Sequence, residues 1–166
     1  MTIDSGGHGN GTGVLLPRGG VVLARGLRNT GAPVPAPDFG LYLLGHPLDK
    51  PSLYGRLLVG LTRWVPEWPY EHVDWPDFAA PRHPLRAIEQ LRGTLDRIER
   101  SERVEVACAG GRGRTGTALA AMAILQGSTA QEALAWVRST YHPKAIESRR
   151  QRNFLQVVAA NRNDAA

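Results

Sequence analysis

The 166-residue chain carries 20 lysines and arginines against 15 aspartates and glutamates, a formal net charge of +5, with 42% hydrophobic residues and one cysteine. That length suits one domain that buries its own core, while a single cysteine excludes internal disulfides and the multi-cysteine zinc patterns. The histidines (His8, His46, His72, His83, His142) have no ligand-like spacing, so neither a metal nor a cofactor is expected.

In chain order, residues 1–13 are glycine-rich and polar and are expected to be a flexible tail, followed by one domain over 14–162 and a short C-terminal tail over 163–166. Apolar runs at 21–24, 41–44 and 57–65, separated by glycines and prolines, read as strands. The aromatic and proline-dense stretch 64–78 reads as loop. From Pro84 to Ser101, Leu85, Ile88, Leu91, Leu95 and Ile98 recur at helical spacing, which predicts an amphipathic helix packed on a sheet. Val104 and Val106 suggest a short strand, and the apolar run 117–125 a buried helix. Ser128-Thr129-Ala130-Gln131 offers a capping box for a helix through about Thr140, ended by His142-Pro143. Ser148-Arg149-Arg150-Gln151 offers a second, with Phe154, Leu155 and Val158 turned inward. The expected fold class is α/β: a single domain with a central mixed sheet flanked by helices.

The densest chemistry lies where the last strand meets the buried helix, at Cys108-Ala109-Gly110-Gly111-Arg112-Gly113-Arg114-Thr115-Gly116. Three glycines let the loop turn its N–H groups inward, and the helix directs its positive end at them. A thiol there is expected to ionise readily beside a bound anion. Five residues between Cys108 and Arg114 suffice for a cradle around three phosphate oxygens, closed by the guanidinium.

This stretch resembles the signature of the cysteine-dependent protein tyrosine phosphatases, in particular their dual-specificity and lipid-phosphatase branches: Cys, five residues, Arg, then Ser or Thr. Trp75-Pro76-Asp77-Phe78-Ala79-Ala80-Pro81 is similar to the family's mobile Trp-Pro-Asp loop. The resemblance implies a strand–phosphate loop–helix core and a phosphocysteine mechanism. Cys108 would be the nucleophile; Arg114 and the amides of Ala109, Gly110, Gly111, Arg112 and Gly113 would hold phosphate; Asp77 would be the general acid. Thr115 would assist departure of the thiolate, or else bond only backbone at the helix start. Glu147 and Gln151 match, less closely, a stretch in which glutamines position the attacking water, and they also read as part of a helix cap. Ala107 departs from the family's usual histidine, and a tyrosine-bearing pocket loop has no counterpart, which points to a shallower, dual-specificity-like site.

The same glycines fit a dinucleotide-binding fingerprint, but no strand ending in an acidic residue follows at the required distance. A phosphatase-fold module that binds without turnover would need neither the thiol nor the acid. The expected partner is a phosphorylated protein, phosphotyrosine first, with phosphoserine, phosphothreonine, phosphoinositide or RNA 5′-phosphate as alternatives. Nucleic-acid binding as such is not expected, since Arg149-Arg150-Gln151-Arg152 reads as a solvated helix start rather than a basic patch. Without a bilayer-length apolar run or a secretion signal, the expected location is cytoplasmic.

Overall fold

Short β-branched and leucine-rich runs form one sheet in the computed structural model, which describes residues 12–28, 31–50 and 65–163. The strands are β1 (Thr12–Leu15), β2 (Val21–Gly26), β3 (Phe39–Leu44), β4 (Tyr70–Asp74) and β5 (Val104–Cys108). Their order is β1-β2-β5-β3-β4; β1 runs antiparallel to β2, and β2, β5, β3 and β4 are parallel. The helices are α1 (Pro84–Glu99), α2 (Gly113–Leu125), α3 (Ala130–Thr140) and α4 (Arg149–Ala160). A single α/β domain with a mixed sheet is therefore observed, as the composition and patterning predict.

β5 lies at the centre, and its alternation sets the two faces of the domain. Val104, Val106 and Cys108 enter the main core with α1, α2 and α4, whereas Ala107 joins Tyr42, Leu44, Leu48 and Ala109 in a second apolar cluster. α2 is buried from Gly113 to Ile124, because it packs on β5 and between the other three helices. A helix enclosed on all sides must be apolar all round, and its alanines at 118, 120, 121 and 123 permit close approach.

Several boundaries differ from the sequence expectation. β4 occupies the middle of the stretch expected to be loop: Tyr70-Glu71-His72-Val73-Asp74 pairs with the edge of β3, so backbone pairing overrides a composition in which Val73 alone is apolar and buried. Pro69 and Pro76 frame the strand rather than forbid it. β1 begins at Thr12, inside the expected tail, because Thr12 and Gly13 pair with Ala24 and Leu23. The expected strand at 57–65 lies, apart from Val65, outside the described residues. α1 stops at Glu99, where Ser101 at φ 64° turns the chain. α2 starts at Gly113, within the glycine-rich loop, four residues before its apolar run. The α3 capping box is Thr129 with Glu132, one residue later than expected; the α4 box is Ser148 with Gln151 as read.

In register, Cys108 lies beside Gly26 on β2 and Leu43 on β3. It thus sits at the carboxyl ends of three parallel strands, the edge at which open α/β sheets present their ligand sites.

Candidate active site

The loop between β5 and α2 is held by the strand it leaves. The Leu27 N–H donates to the Cys108 carbonyl at 2.9 Å and the Arg28 N–H to that of Ala109 at 3.1 Å, so the backbone after β2 continues the ladder along the loop. Gly111 adopts φ +71°, and its N–H donates to Cys108 Sγ at 3.1 Å. A Cβ on Gly111 would lie 2.4 Å from the Gly26 nitrogen, and one on Gly26 2.6 Å from the Gly110 carbonyl carbon. Glycine is required at these two positions because backbone packs directly on backbone. The N-terminus of α2 faces the same loop, adding amides and the positive end of its dipole.

Cys108 (2% exposed) forms the floor of a cavity of about 290 Å³. Gly110, Gly111, Arg112, Gly113 and Arg114 line it from the loop, and Asp77 from the segment after β4. Arg114 is almost fully buried; its Nη1 donates to the Trp75 carbonyl at 3.0 Å, and its Nη2 lies 3.4 Å from Asp77 Oδ1. The guanidinium therefore ties the β5–α2 loop to the Trp75-Pro76-Asp77 segment. Trp75 anchors that segment in the core. It is fully buried, meets Phe154 edge-on at 5.2 Å, and donates from Nε1 to the Ala79 carbonyl at 2.7 Å. Pro76 packs against Gly45, where a Cβ would come within 3.1 Å of Pro76 Cα. Asp77 stays half exposed, and Phe78, at φ 54°, presents its ring outward. A larger cavity of about 810 Å³ beside Arg18, Arg92 and Gln126 contains none of these groups.

The remaining predicted residues divide. The Thr115 hydroxyl is buried without a hydrogen-bond partner; the helix-start bond to backbone is made instead by Thr117, which donates to the Gly113 carbonyl at 2.7 Å. Glu147 lines the cavity and pairs with Arg112 at 2.6 Å. Its Oε2 occupies the space a Cβ on Gly113 would need. Gln151 is a buried cap residue: its Oε1 accepts from the N–H groups of Glu147 (2.7 Å) and Ser148 (3.2 Å), and its Nε2 has no partner.

Four further residues about the site carry no expected site role from the sequence. Arg28, Phe78 and His142 line the cavity, and the Tyr141 hydroxyl donates to the Gly111 carbonyl. Burial and then the charge of Cys108 push the Tyr141 phenol up, which keeps it a hydrogen-bond donor. Only Phe78 lies inside a recognisable motif. Periodicity carries no signal for the others, which fall in connections between elements.

A family model for protein-tyrosine phosphatases matches residues 63–158, a span that contains both the Asp77 segment and the Cys108 loop. The chain belongs to the protein-tyrosine phosphatase family. Among solved structures, Tk-PTP in its active form is 28% identical, over 75% of this chain and 79% of that one, with a TM-score of 0.58. DUSP15 is similar in fold at 12% identity, over 96% of this chain and 98% of that one, with a TM-score of 0.63. PTPN18 in complex with HER2 phosphopeptides is likewise similar in fold at 17% identity, over 94% and 72%, with a TM-score of 0.61. No curated protein matches the chain in sequence. Among the described residues, no three His, Cys, Asp or Glu side chains gather in a way that could hold a metal ion, and no helix is long and apolar enough to cross a membrane.

Proposed function

We propose that this family member hydrolyses phosphate monoesters through a phosphocysteine, with phosphotyrosine on a protein as substrate. The observation that carries this reading is the convergence of Cys108, Arg114 and Asp77 on one cavity, with Arg114 joining the Cys108 loop to the Asp77 segment. In the first step the Cys108 thiolate attacks phosphorus in line. The S–P bond forms as the P–O bond to the aryl group breaks, Arg114 and the loop amides hold the equatorial oxygens, and Asp77 gives its proton to the leaving oxygen. In the second step a water attacks phosphorus, Asp77 takes its proton, and the thiolate departs with a hydrogen bond from the otherwise unpartnered Thr115 hydroxyl.

Two features favour a phosphotyrosine side chain over a polyphosphorylated lipid. Arg112, the loop cation positioned to meet a second phosphate, is engaged by Glu147. The exposed ring of Phe78 at the cavity rim offers an apolar face to a phenyl group. A module that binds without turnover has no use for Asp77 beside Arg114.

Hydrolysis of p-nitrophenyl phosphate in the presence of EDTA is expected for the wild type and not for Cys108→Ser. Activity that persists in the serine variant, or that requires a divalent ion, contradicts the mechanism; phosphopeptide binding without hydrolysis supports the binding module instead. Phosphotyrosine peptides should then exceed phosphoserine peptides, phosphoinositides and 5′-phosphorylated RNA in kcat/KM.

A further inference from the structure

The loop that holds Cys108 is braced unequally. On its β2 side, the Leu27 and Arg28 amides bond to it and Gly26 packs against Gly110 and Gly111. From beneath, the residue preceding Cys108 gives no polar support: Ala107 is fully buried, its methyl enclosed with Tyr42, Leu44, Leu48 and Ala109. Yet Gly111 has to be held accurately, because its N–H is the one that donates to Cys108 Sγ.

The Gly111 carbonyl, one peptide further on, receives the hydroxyl of Tyr141 from the C-cap of α3. Gly111 is thus held by a bond at each of its two peptide groups, one to the sulfur and one to a phenol. We propose that Tyr141 is a positioning residue for the phosphatase reaction: by holding the Gly111 carbonyl it orients the amide that stabilises the Cys108 thiolate. The proposal rests on the phosphatase reading of this site and deepens it. Tyr141 is not itself a cavity-lining residue, so it acts through Gly111 and not by touching substrate. Its phenol stays protonated, since burial and the nearby Cys108 charge both disfavour its ionisation, and it therefore remains a donor under conditions in which the thiol is ionised.

The charged or titratable groups that face the thiol are Arg28 after β2, Asp77 after β4, Arg112 and Arg114 of the phosphate loop and α2, and His142 and Glu147 of the α3–α4 connection. All of them survive in Tyr141→Phe, which removes one donor and keeps the ring. Cys108 is the chain's only cysteine, so iodoacetamide alkylation reports its ionisation without ambiguity. For Tyr141→Phe the alkylation profile should shift to higher pH than in the wild type. Its kcat for p-nitrophenyl phosphate should fall roughly three- to tenfold, the scale of one hydrogen bond, with a smaller change in KM. Tyr141→Leu, which removes the ring as well, should melt lower than Tyr141→Phe but share its alkylation profile. A wild-type profile in Tyr141→Phe, or a shift confined to Tyr141→Leu, overturns the proposal, since packing and not the hydroxyl would then be responsible. Alkylation needs no turnover. An inactive wild type would therefore sink the phosphatase reading while leaving this comparison readable, and an active wild type with an unaltered Phe variant would sink the positioning role alone.

Discussion

Two polar clusters meet β5 within three residues of each other, one at Glu105 and one at Cys108, and both of those residues are buried. At Glu105 the groups answer one another. The carboxylate pairs with Arg25, its Oε2 accepts from the Tyr42 hydroxyl at 3.1 Å, and Tyr42 in turn accepts from Trp68 Nε1 at 2.9 Å. Burial pushes Glu105 and Tyr42 up, with the Arg25 charge opposing it in both. At Cys108 the polar groups line a cavity, and buried donors on Arg114 Nε and Thr115 Oγ1 lack protein partners. Burial alone therefore does not distinguish a polar cluster that is complete in itself from one that lines a cavity. The distinction lies in whether the donors and acceptors complete each other or are left for something that enters.

Substitutions in the two clusters should separate along that line. Asp77→Asn removes the proposed acid and should slow aryl phosphate hydrolysis by about 10²–10⁴-fold, with an unchanged melting temperature because the side chain is half exposed. Asp74→Asn, whose carboxylate pairs with the exposed Arg82, should do little; a larger effect there than at Asp77 would reassign the acid. Glu105→Gln should act in the opposite sense. Leaving the buried Arg25 without its carboxylate should cost about 3–5 kcal/mol of stability, read by denaturant titration, while kcat per folded molecule is retained. A loss of kcat without a loss of stability would erase the contrast between the clusters. Thr115→Val keeps the shape and removes the unpartnered hydroxyl. It should lower kcat by about tenfold or more and give a burst of the first product, whereas a linear time course at wild-type rate would assign the hydroxyl no part in thiolate departure. Among the substitutions expected to change the reaction, the smallest effect falls at the cavity rim. Glu147→Gln releases Arg112 and should raise kcat/KM for a doubly phosphorylated substrate about two- to fivefold relative to a monophosphate; an equal change for both would show that the pair does not set specificity.

The contrast was only partly legible in the sequence. Asp77 lies 31 positions before Cys108 and 37 before Arg114, yet two short motifs name all three, because each motif has to satisfy its own local geometry: glycines where backbone meets backbone, a proline and a buried tryptophan beside Asp77. The Arg25–Glu105 pair carries no such mark. It joins two strands through sheet register, and a charged residue in a strand otherwise reads as solvent-facing. β4 was hidden for a related reason, since an edge strand gains its stability from pairing with β3 rather than from its own apolar pattern. Tyr141 is invisible to periodicity because it lies just past the end of α3, and its bond to Gly111 spans thirty residues.

The central claim is that Cys108 bonds covalently to phosphorus during turnover. Rapid denaturing quench of the enzyme with p-nitrophenyl phosphate, followed by peptide mass spectrometry, tests it most directly. The predicted result is a phosphate adduct on Cys108 that is more abundant in Thr115→Val than in the wild type and absent from Cys108→Ser. Turnover without an adduct, or with the phosphate on a residue other than Cys108, would contradict the account.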